Sequence, residues 1–370
     1  MSKIVISINA AWNIVNFRLG LIRALREAGH EVIALAPPDR HSARLQALGI
    51  PYVPIAMDKK GLSPLGDLRL LVRYWRILRR LRPDVFLGYT AKPNIYGSLA
   101  AEALGIRVIN NVSGLGTAFI RMGLLTRVVS TLYRIAFRRS ETIFFQNEED
   151  RDLFIGEKLV NPRQARLLPG SGIDLERFRP VPNEPEKEGF VFLLIARLLW
   201  DKGVGEYVEA ARRVRAALPG ARFQLLGFLD AENRTAVPRT TVEAWVEEGI
   251  VDYLGEAEDV RPFIAAADCV VLPSYREGLP RTLLEAAAMA KPLIATDVPG
   301  CRHAVEAGVN GLLCPARDAE GLAAAMMEMI RAPGRLRAQW GGAGRARVER
   351  AFDEKIVAAL YLKAIEEASA

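Results

Sequence analysis

The chain has 370 residues, half of them hydrophobic and a quarter charged, a globular balance with room for two ordinary domains. A net charge of +7 and a pI of about 9.4 suit an anionic ligand or membrane surface. No basic stripe interleaved with aromatics forms a nucleic-acid module, so no nucleic-acid partner is expected.

The three cysteines, Cys269, Cys301 and Cys314, lack metal-ligand spacing and read as reduced core residues. Met1-Ser2-Lys3 leads straight into a strand with no signal-peptide pattern. No apolar run approaches the roughly 18 residues of a membrane span. The expected location is cytoplasmic.

In chain order, residues 3–9 (KIVISIN) read as a buried strand, 10–16 as a loop, 18–28 as a helix and 31–35 as a second strand. Helix and strand then alternate: helix 43–48, strand 52–56, helix 65–81, strand 83–87, helix 95–104 and strand 107–112. A glycine loop (Gly114-Leu115-Gly116), a helix at 124–138 and a strand at 142–145 complete a doubly wound parallel pattern.

The most Pro/Gly-rich stretch, residues 167–185, follows this complete α/β unit and marks a boundary near 180. The pattern restarts with strand 190–195, helix 204–217, strand 222–226, helix 241–248 and strand 251–254. A short helix at 262–266, strand 269–272, helix 282–289, strand 292–296, helix 302–306 and strand 311–314 follow, then helices from 320 onward. The expected domains are 1–180 and 181–352, two Rossmann-like units facing across a cleft, with a helix at 353–370 crossing back to the first.

The most informative stretch is Ser274-Tyr275-Arg276-Glu277-Gly278-Leu279-Pro280-Arg281-Thr282-Leu283-Leu284-Glu285. It reads as strand, tight loop, then helix start, with Gly278 admitting close backbone approach and Pro280 suiting the first helical turn. Such a helix N-terminus binds phosphate or carboxylate. Glu277 before it and Glu285 within it suit hydroxyls rather than phosphates. Sugar nucleotides carry both groups.

Other chemistries lack their motifs. No G-x-G-x-x-G follows the first strand, which argues against NAD, and there is no Walker loop. His30, His41 and His303 are scattered, and Asp150-Arg151-Asp152 reads as a helix start capped by Asn147. Neither a metal nor a cofactor is implied. Arg197 and Lys202, on the loop leaving strand 190–195, are either solvated surface charges or a clamp for a diphosphate. Beside the 278–282 helix start, the clamp is the favoured reading.

Glu277-x7-Glu285, with Pro273-Ser274 before it and Ala286 after it, resembles the E-x7-E motif of retaining GT-B glycosyltransferases of family 4. Arg197 and Lys202-Gly203 match that family's diphosphate-binding cations. The segment 169–178 resembles its interdomain segment, and Val298-Pro299-Gly300 and Asn310-Gly311 recur at familiar places. In the first half, residues 92–97 (KPNIYG) and 113–119 resemble bacterial members that extend undecaprenyl-diphosphate-linked oligosaccharides.

The resemblance implies a GT-B fold and a UDP-sugar as co-substrate. Glu277 would meet the donor sugar and Glu285 the ribose. Arg197 and Lys202 would take the diphosphate, assisted by Leu279, Pro280, Arg281 and Thr282, and Gly255 with Glu256 would border the uracil. It also implies a lipid-linked saccharide acceptor on the side of Asn16, Arg18, Lys92, Ser113 and Gly114. Two departures stand out: residues 110–114 (NNVSG) lack the histidine many members place there, and the first loop lacks the usual Gly-Gly.

Two basic helices, 69–82 and 126–139, carry apolar residues at helical spacing, with Lys59-Lys60 beside the first. Together with the resemblance they point to peripheral association with an anionic membrane, at the inner face of the cell membrane. The function expected is transfer of a sugar, an N-acetylhexosamine, from a UDP-sugar to a polyprenyl-diphosphate-linked saccharide. Its rivals are a UDP-N-acetylglucosamine 2-epimerase-like enzyme and a non-catalytic sugar-nucleotide-binding subunit.

Overall fold

The computed structural model describes residues 1–58, 63–114, 124–181, 189–229 and 235–369. Lys59-Lys60, residues 115–119 of the glycine loop and residues 182–185 of the boundary stretch lie outside the described residues. The chain divides into two compact units, Met1–Gly172 with Glu354–Ala370, and Ile173–Asp353.

The first unit runs β1 (Lys3–Ser7), α1 (Ala11–Phe17), α2 (Leu19–Glu27), β2 (Glu31–Ala36), α3 (Ser42–Ala47) and β3 (Tyr52–Pro54). Next come α4 (Pro64–Leu81), β4 (Val85–Tyr89), a π-helical turn (Pro93–Gly97), α5 (Ser98–Ala103) and β5 (Arg107–Val112). Then follow α6 (Leu124–Ala136), β6 (Thr142–Phe145), α7 (Glu148–Gly156) and β7 (Ala165–Leu167). The strands form one parallel sheet in the order β3-β2-β1-β4-β5-β6-β7. The core strands are buried on both faces, which is why they read as continuous apolar runs.

Packing of amphipathic helices supplies the stability. In α4, Leu70, Tyr74 and Leu78 recur at four-residue spacing and are buried against the sheet. Each contributes about 1.5–3 kcal/mol by leaving water. Ser63 caps this helix by accepting the Gly66 N–H.

The second unit runs β8 (Val191–Ile195), a 3-10 turn (Trp200–Lys202), α8 (Val204–Ala217), β9 (Arg222–Leu226), α9 (Arg239–Glu247) and β10 (Asp252–Tyr253). Its second half is α10 (Arg261–Ala266), β11 (Cys269–Leu272), α11 (Arg281–Ala288), β12 (Leu293–Thr296), α12 (Cys301–Ala304) and β13 (Gly311–Cys314). Helices α13 (Ala319–Arg331) and α14 (Gly334–Ala351) close it, and the sheet order is β10-β9-β8-β11-β12-β13, again parallel. The last helix, α15 (Glu354–Ser369), belongs to the first unit, where Val357, Tyr361 and Ile365 enter the core and α2 is its main helical neighbour.

Several sequence expectations need correction. The division falls at Gly172 rather than near 180, because the Ile173 N–H bonds the Phe352 carbonyl at 2.8 Å and Phe178 is buried in the second unit's core. Residues 10–16 are not a loop but include most of α1, whose Ala11, Ile14 and Val15 are buried at helical spacing. Strand β7 was not expected; three residues at a sheet edge are too few to show a period. Asn147 does cap α7, accepting the Asp150 N–H at 2.7 Å.

Candidate active site

The order of the second sheet places β8 beside β11, where the winding reverses, and loops at the carboxyl ends of such strands adjoin. The chain leaving β8 forms the 3-10 turn and then Gly203, at φ +72°. An added Cβ at Gly203 would lie 2.1 Å from the Pro273 carbonyl, so only glycine lets these two loops meet. The Tyr275 N–H ties them further by donating to the Asp201 carbonyl at 3.0 Å.

This contact delivers Lys202 to Glu277, with Nζ 2.5 Å from Oε1 and the side chains 19% and 15% exposed. Ser274, fully buried, donates its Oγ to the same carboxylate oxygen at 2.7 Å. Thr296, at the end of β12, donates its hydroxyl to the Ser274 carbonyl. Oε1 is thus held by two donors.

The loop's path also depends on Gly300, at φ +84°, where an added Cβ would lie 2.5 Å from the carbonyls of both Glu277 and Gly278. Outside this frame, the Tyr275 hydroxyl donates to Glu206 Oε1 at 2.6 Å and the Arg317 guanidinium lies 4.6 Å over its ring. Burial, and then Glu206, push the Tyr275 hydroxyl above its ordinary range.

Pro280 is the N-cap of α11 rather than a first-turn residue, and no side chain caps this helix start. One turn on, Arg281 Nε donates to Glu285 Oε1 at 2.7 Å, with both side chains largely covered. Burial raises the Glu285 carboxyl, and Arg281, then Arg177, act against that rise. The site therefore alternates charge: Lys202 with Glu277, then Arg281 with Glu285.

Of the other expected donor-side residues, Arg197 is exposed and makes no ion pair among the described residues. Gly255, at φ +76°, accepts the Gly227 N–H at 2.8 Å, and Glu256 beside it is exposed. Thr282 is half-buried in the first turn of α11, next to Gly278 and Pro280. Leu279 turns its side chain into the core.

The residues expected on the acceptor side all lie in the first unit, after β1, β4 and β5. Lys92 Nζ pairs with Asp67 Oδ1 at 2.8 Å, Asn16 Nδ2 donates to the Trp12 carbonyl at 2.8 Å, and Ser113 Oγ donates to Asn111 Oδ1 at 2.7 Å. Gly114 holds φ +135°, and Arg18 is buried with its guanidinium over the Tyr89 ring.

Sequence reasoning missed the roles of Ser274, Thr296, Gly203 and Gly300. The spacing Ser274-x-x-Glu277, a serine three residues before an acid, was the one available signal for the first.

Residues 189–332 match the family described as glycosyl transferases group 1, and residues 14–171 match the glycosyl transferase 4-like domain. An N,N'-diacetylbacillosaminyl-diphospho-undecaprenol alpha-1,3-N-acetylgalactosaminyltransferase of Campylobacter jejuni is 29% identical over 371 residues, covering 96% of each chain. A UDP-Gal:alpha-D-GlcNAc-diphosphoundecaprenol alpha-1,3-galactosyltransferase of Escherichia coli is 24% identical over 73% of this chain and 72% of its own. Among solved structures, Anabaena Alr3699/HepE with UDP and glucose has a TM-score of 0.82 at 18% identity, covering 99% of this chain and 100% of its own. That likeness establishes the fold, two doubly wound parallel units of the GT-B class. With both family matches spanning the two units, the chain belongs to the group 1, GT4-like glycosyltransferases.

Proposed function

We propose that the chain is a retaining hexosyltransferase that moves an N-acetylhexosamine from a UDP-sugar to a polyprenyl-diphosphate-linked saccharide, in the assembly of a bacterial surface glycan. The observation that carries the reading is the Lys202–Glu277–Ser274 cluster set beside the Arg281–Glu285 pair at the start of α11. Both relatives' names carry a diphosphoundecaprenol-linked acceptor, and the sugar class follows the first, an N-acetylgalactosaminyltransferase, whereas the second is a galactosyltransferase.

In this reading Lys202 and Arg197 neutralise the charge that develops on the departing UDP, helped by the α11 N-terminus. Glu277 Oε2 accepts hydroxyls of the donor sugar, and Glu285 orients the ribose. Gly255 and Glu256 border the base. The acceptor hydroxyl forms its bond to the anomeric carbon on the face that UDP leaves, as the bond from that carbon to the β-phosphate oxygen breaks, and the hydroxyl proton passes to the departing phosphate oxygen. Protein cations carry the countercharge, so the reaction proceeds without a metal and is unchanged by EDTA.

The lipid of such an acceptor resides in a membrane, which gives the outer face of α4 and α6 a role. Among the described residues no helix is long and apolar enough to cross a bilayer. Helix α4 exposes Arg69, Arg73, Arg76 and Arg79 together with Leu65, Leu68 and Val72, and α6 exposes Arg127, Val128 and Ile135. Both helices, with α5 between them, cover the same face of the first sheet. Arginines among exposed aliphatics fit an anionic headgroup layer.

The test is turnover across a panel of UDP-sugars with a short polyprenyl-diphosphate saccharide as acceptor. Sugar transfer, with UDP release lost in Glu277→Ala and Lys202→Ala, supports the enzyme. Tight UDP-sugar binding with no turnover on any such acceptor would replace it with a binding subunit.

A further inference from the structure

In the first unit the order β1-β4 is again the place where the sheet's winding reverses, the usual ligand position of a doubly wound sheet. Arg18 follows α1 on the chain leaving β1, and Tyr89 ends β4. The Arg18 guanidinium lies 4.4 Å above the Tyr89 ring, and the residue is only 4% exposed.

Asn16, Lys92 and Ser113 each have an internal partner, but Arg18 has no carboxylate among the described residues. Its Nη1 reaches the Phe17 carbonyl at 3.3 Å, and its Nε is buried without a hydrogen-bond partner among the described residues. Guanidinium keeps its charge at any physiological pH. A buried cation of this kind is strongly disfavoured unless an anion meets it, and one ring face with one carbonyl makes up only part of that.

The surroundings are built rather than loose. The Tyr89 hydroxyl is buried beside that of Tyr361, and Tyr361 accepts Asn111 Nδ2 at 3.0 Å. The carboxylate of Glu354 rests against Gly20, where an added Cβ would lie 2.1 Å from Oε2, so this acid is held at the start of α2. The charge left to be met is that of Arg18.

We propose that Arg18 anchors a phosphate of the acceptor's diphosphate. This rests on the lipid-linked-acceptor reading above and assigns the residue that recognises the acceptor's charge. Bidentate guanidinium–phosphate contact suits a fork seated over a ring.

The test uses the full-length protein saturated with UDP, so that the donor's own phosphate site is filled. Farnesyl diphosphate raises the melting temperature of the wild type, farnesol does not, and inorganic diphosphate gives part of the shift. Arg18→Gln loses the farnesyl diphosphate shift and raises the acceptor KM by about tenfold or more, the scale of one charge-assisted contact. Arg18→Lys recovers part of both, while UDP release without acceptor stays near wild type in each variant. An unchanged acceptor KM overturns the proposal. So does an equal fall in UDP affinity, which would make Arg18 a donor residue, and so does an equal loss of melting temperature in both variants with acceptor KM intact, which would make it a brace for Tyr89. Absence of UDP release in the wild type would instead strike the transferase reading, leaving the farnesyl diphosphate shift to decide the role of Arg18.

Discussion

Lys202 and Glu277 lie 75 positions apart in the chain and meet at 2.5 Å, joining the loops that leave β8 and β11. Each is the other's countercharge, so removal of either disturbs both. Lys202→Ala and Glu277→Ala are each expected to lower kcat by about a hundredfold or more, the scale of lost charge stabilisation in a preorganised site. The double variant is expected to be far less impaired than the product of the two effects. UDP release with saturating donor measures this; fully multiplicative losses would mean the two act separately.

Ser274 touches Glu277 and is itself buried, so it acts as a positioning residue. Ser274→Ala frees Oε1 on one side and is expected to lower kcat by about tenfold with donor KM nearly unchanged. A matching rise in KM with constant kcat would show that the hydroxyl serves binding instead.

Gly300 and Gly308 form a matched pair, at φ +84° and +76°, but only at Gly300 would a Cβ strike neighbours, the two carbonyls at 2.5 Å. Gly300→Ala is expected to lose about 1–3 kcal/mol in urea unfolding and to weaken UDP binding, because the Glu277 loop must shift. Gly308→Ala should lose only the conformational part and leave UDP binding intact. Equal effects on UDP binding would remove the loop argument.

Glu102 is raised from the ordinary 4.5 to about 7 by burial, with Arg139 opposing the rise. A carboxyl whose folded value exceeds its unfolded one contributes stability below the unfolded value and loses it as pH rises through the folded one. Its contribution should therefore decline between about pH 4.5 and about pH 7. Glu102→Gln is expected to remove that decline and to raise Tm most at pH 8. A pH–Tm profile unchanged by the substitution would contradict this.

The arginines of α4 are expected to carry membrane association. Vesicles rich in anionic lipid should float the wild type at low salt and release it as salt screens the charges. Arg69→Glu with Arg73→Glu and Arg76→Glu should abolish flotation without altering UDP release. Binding to neutral vesicles with no salt dependence would point to another surface.

The strands were legible because a parallel sheet is covered on both faces, so runs such as Val191–Ile195 are apolar throughout. The candidate site was legible for a related reason: a strand, a short loop and a helix start bring Glu277 and Glu285 close along the chain, and local order is written locally. Helix α1 carried its period in Ala11, Ile14 and Val15, but seven residues beside a strand are easily taken for a loop.

What local order leaves open is which loops touch. The pairing of Lys202 with Glu277 depends on β8 lying next to β11, and the seat of Arg18 on β1 lying next to β4. Strand adjacency arises from how whole helices cover the sheet, a property that no period of two or 3.6 residues encodes. The sequence pointed to Glu277, Glu285, Arg197 and Lys202 as candidates to hold a nucleotide sugar; the sheet order joined Lys202 and Ser274 at one oxygen of Glu277 and left Arg18 buried without an acid among the described residues.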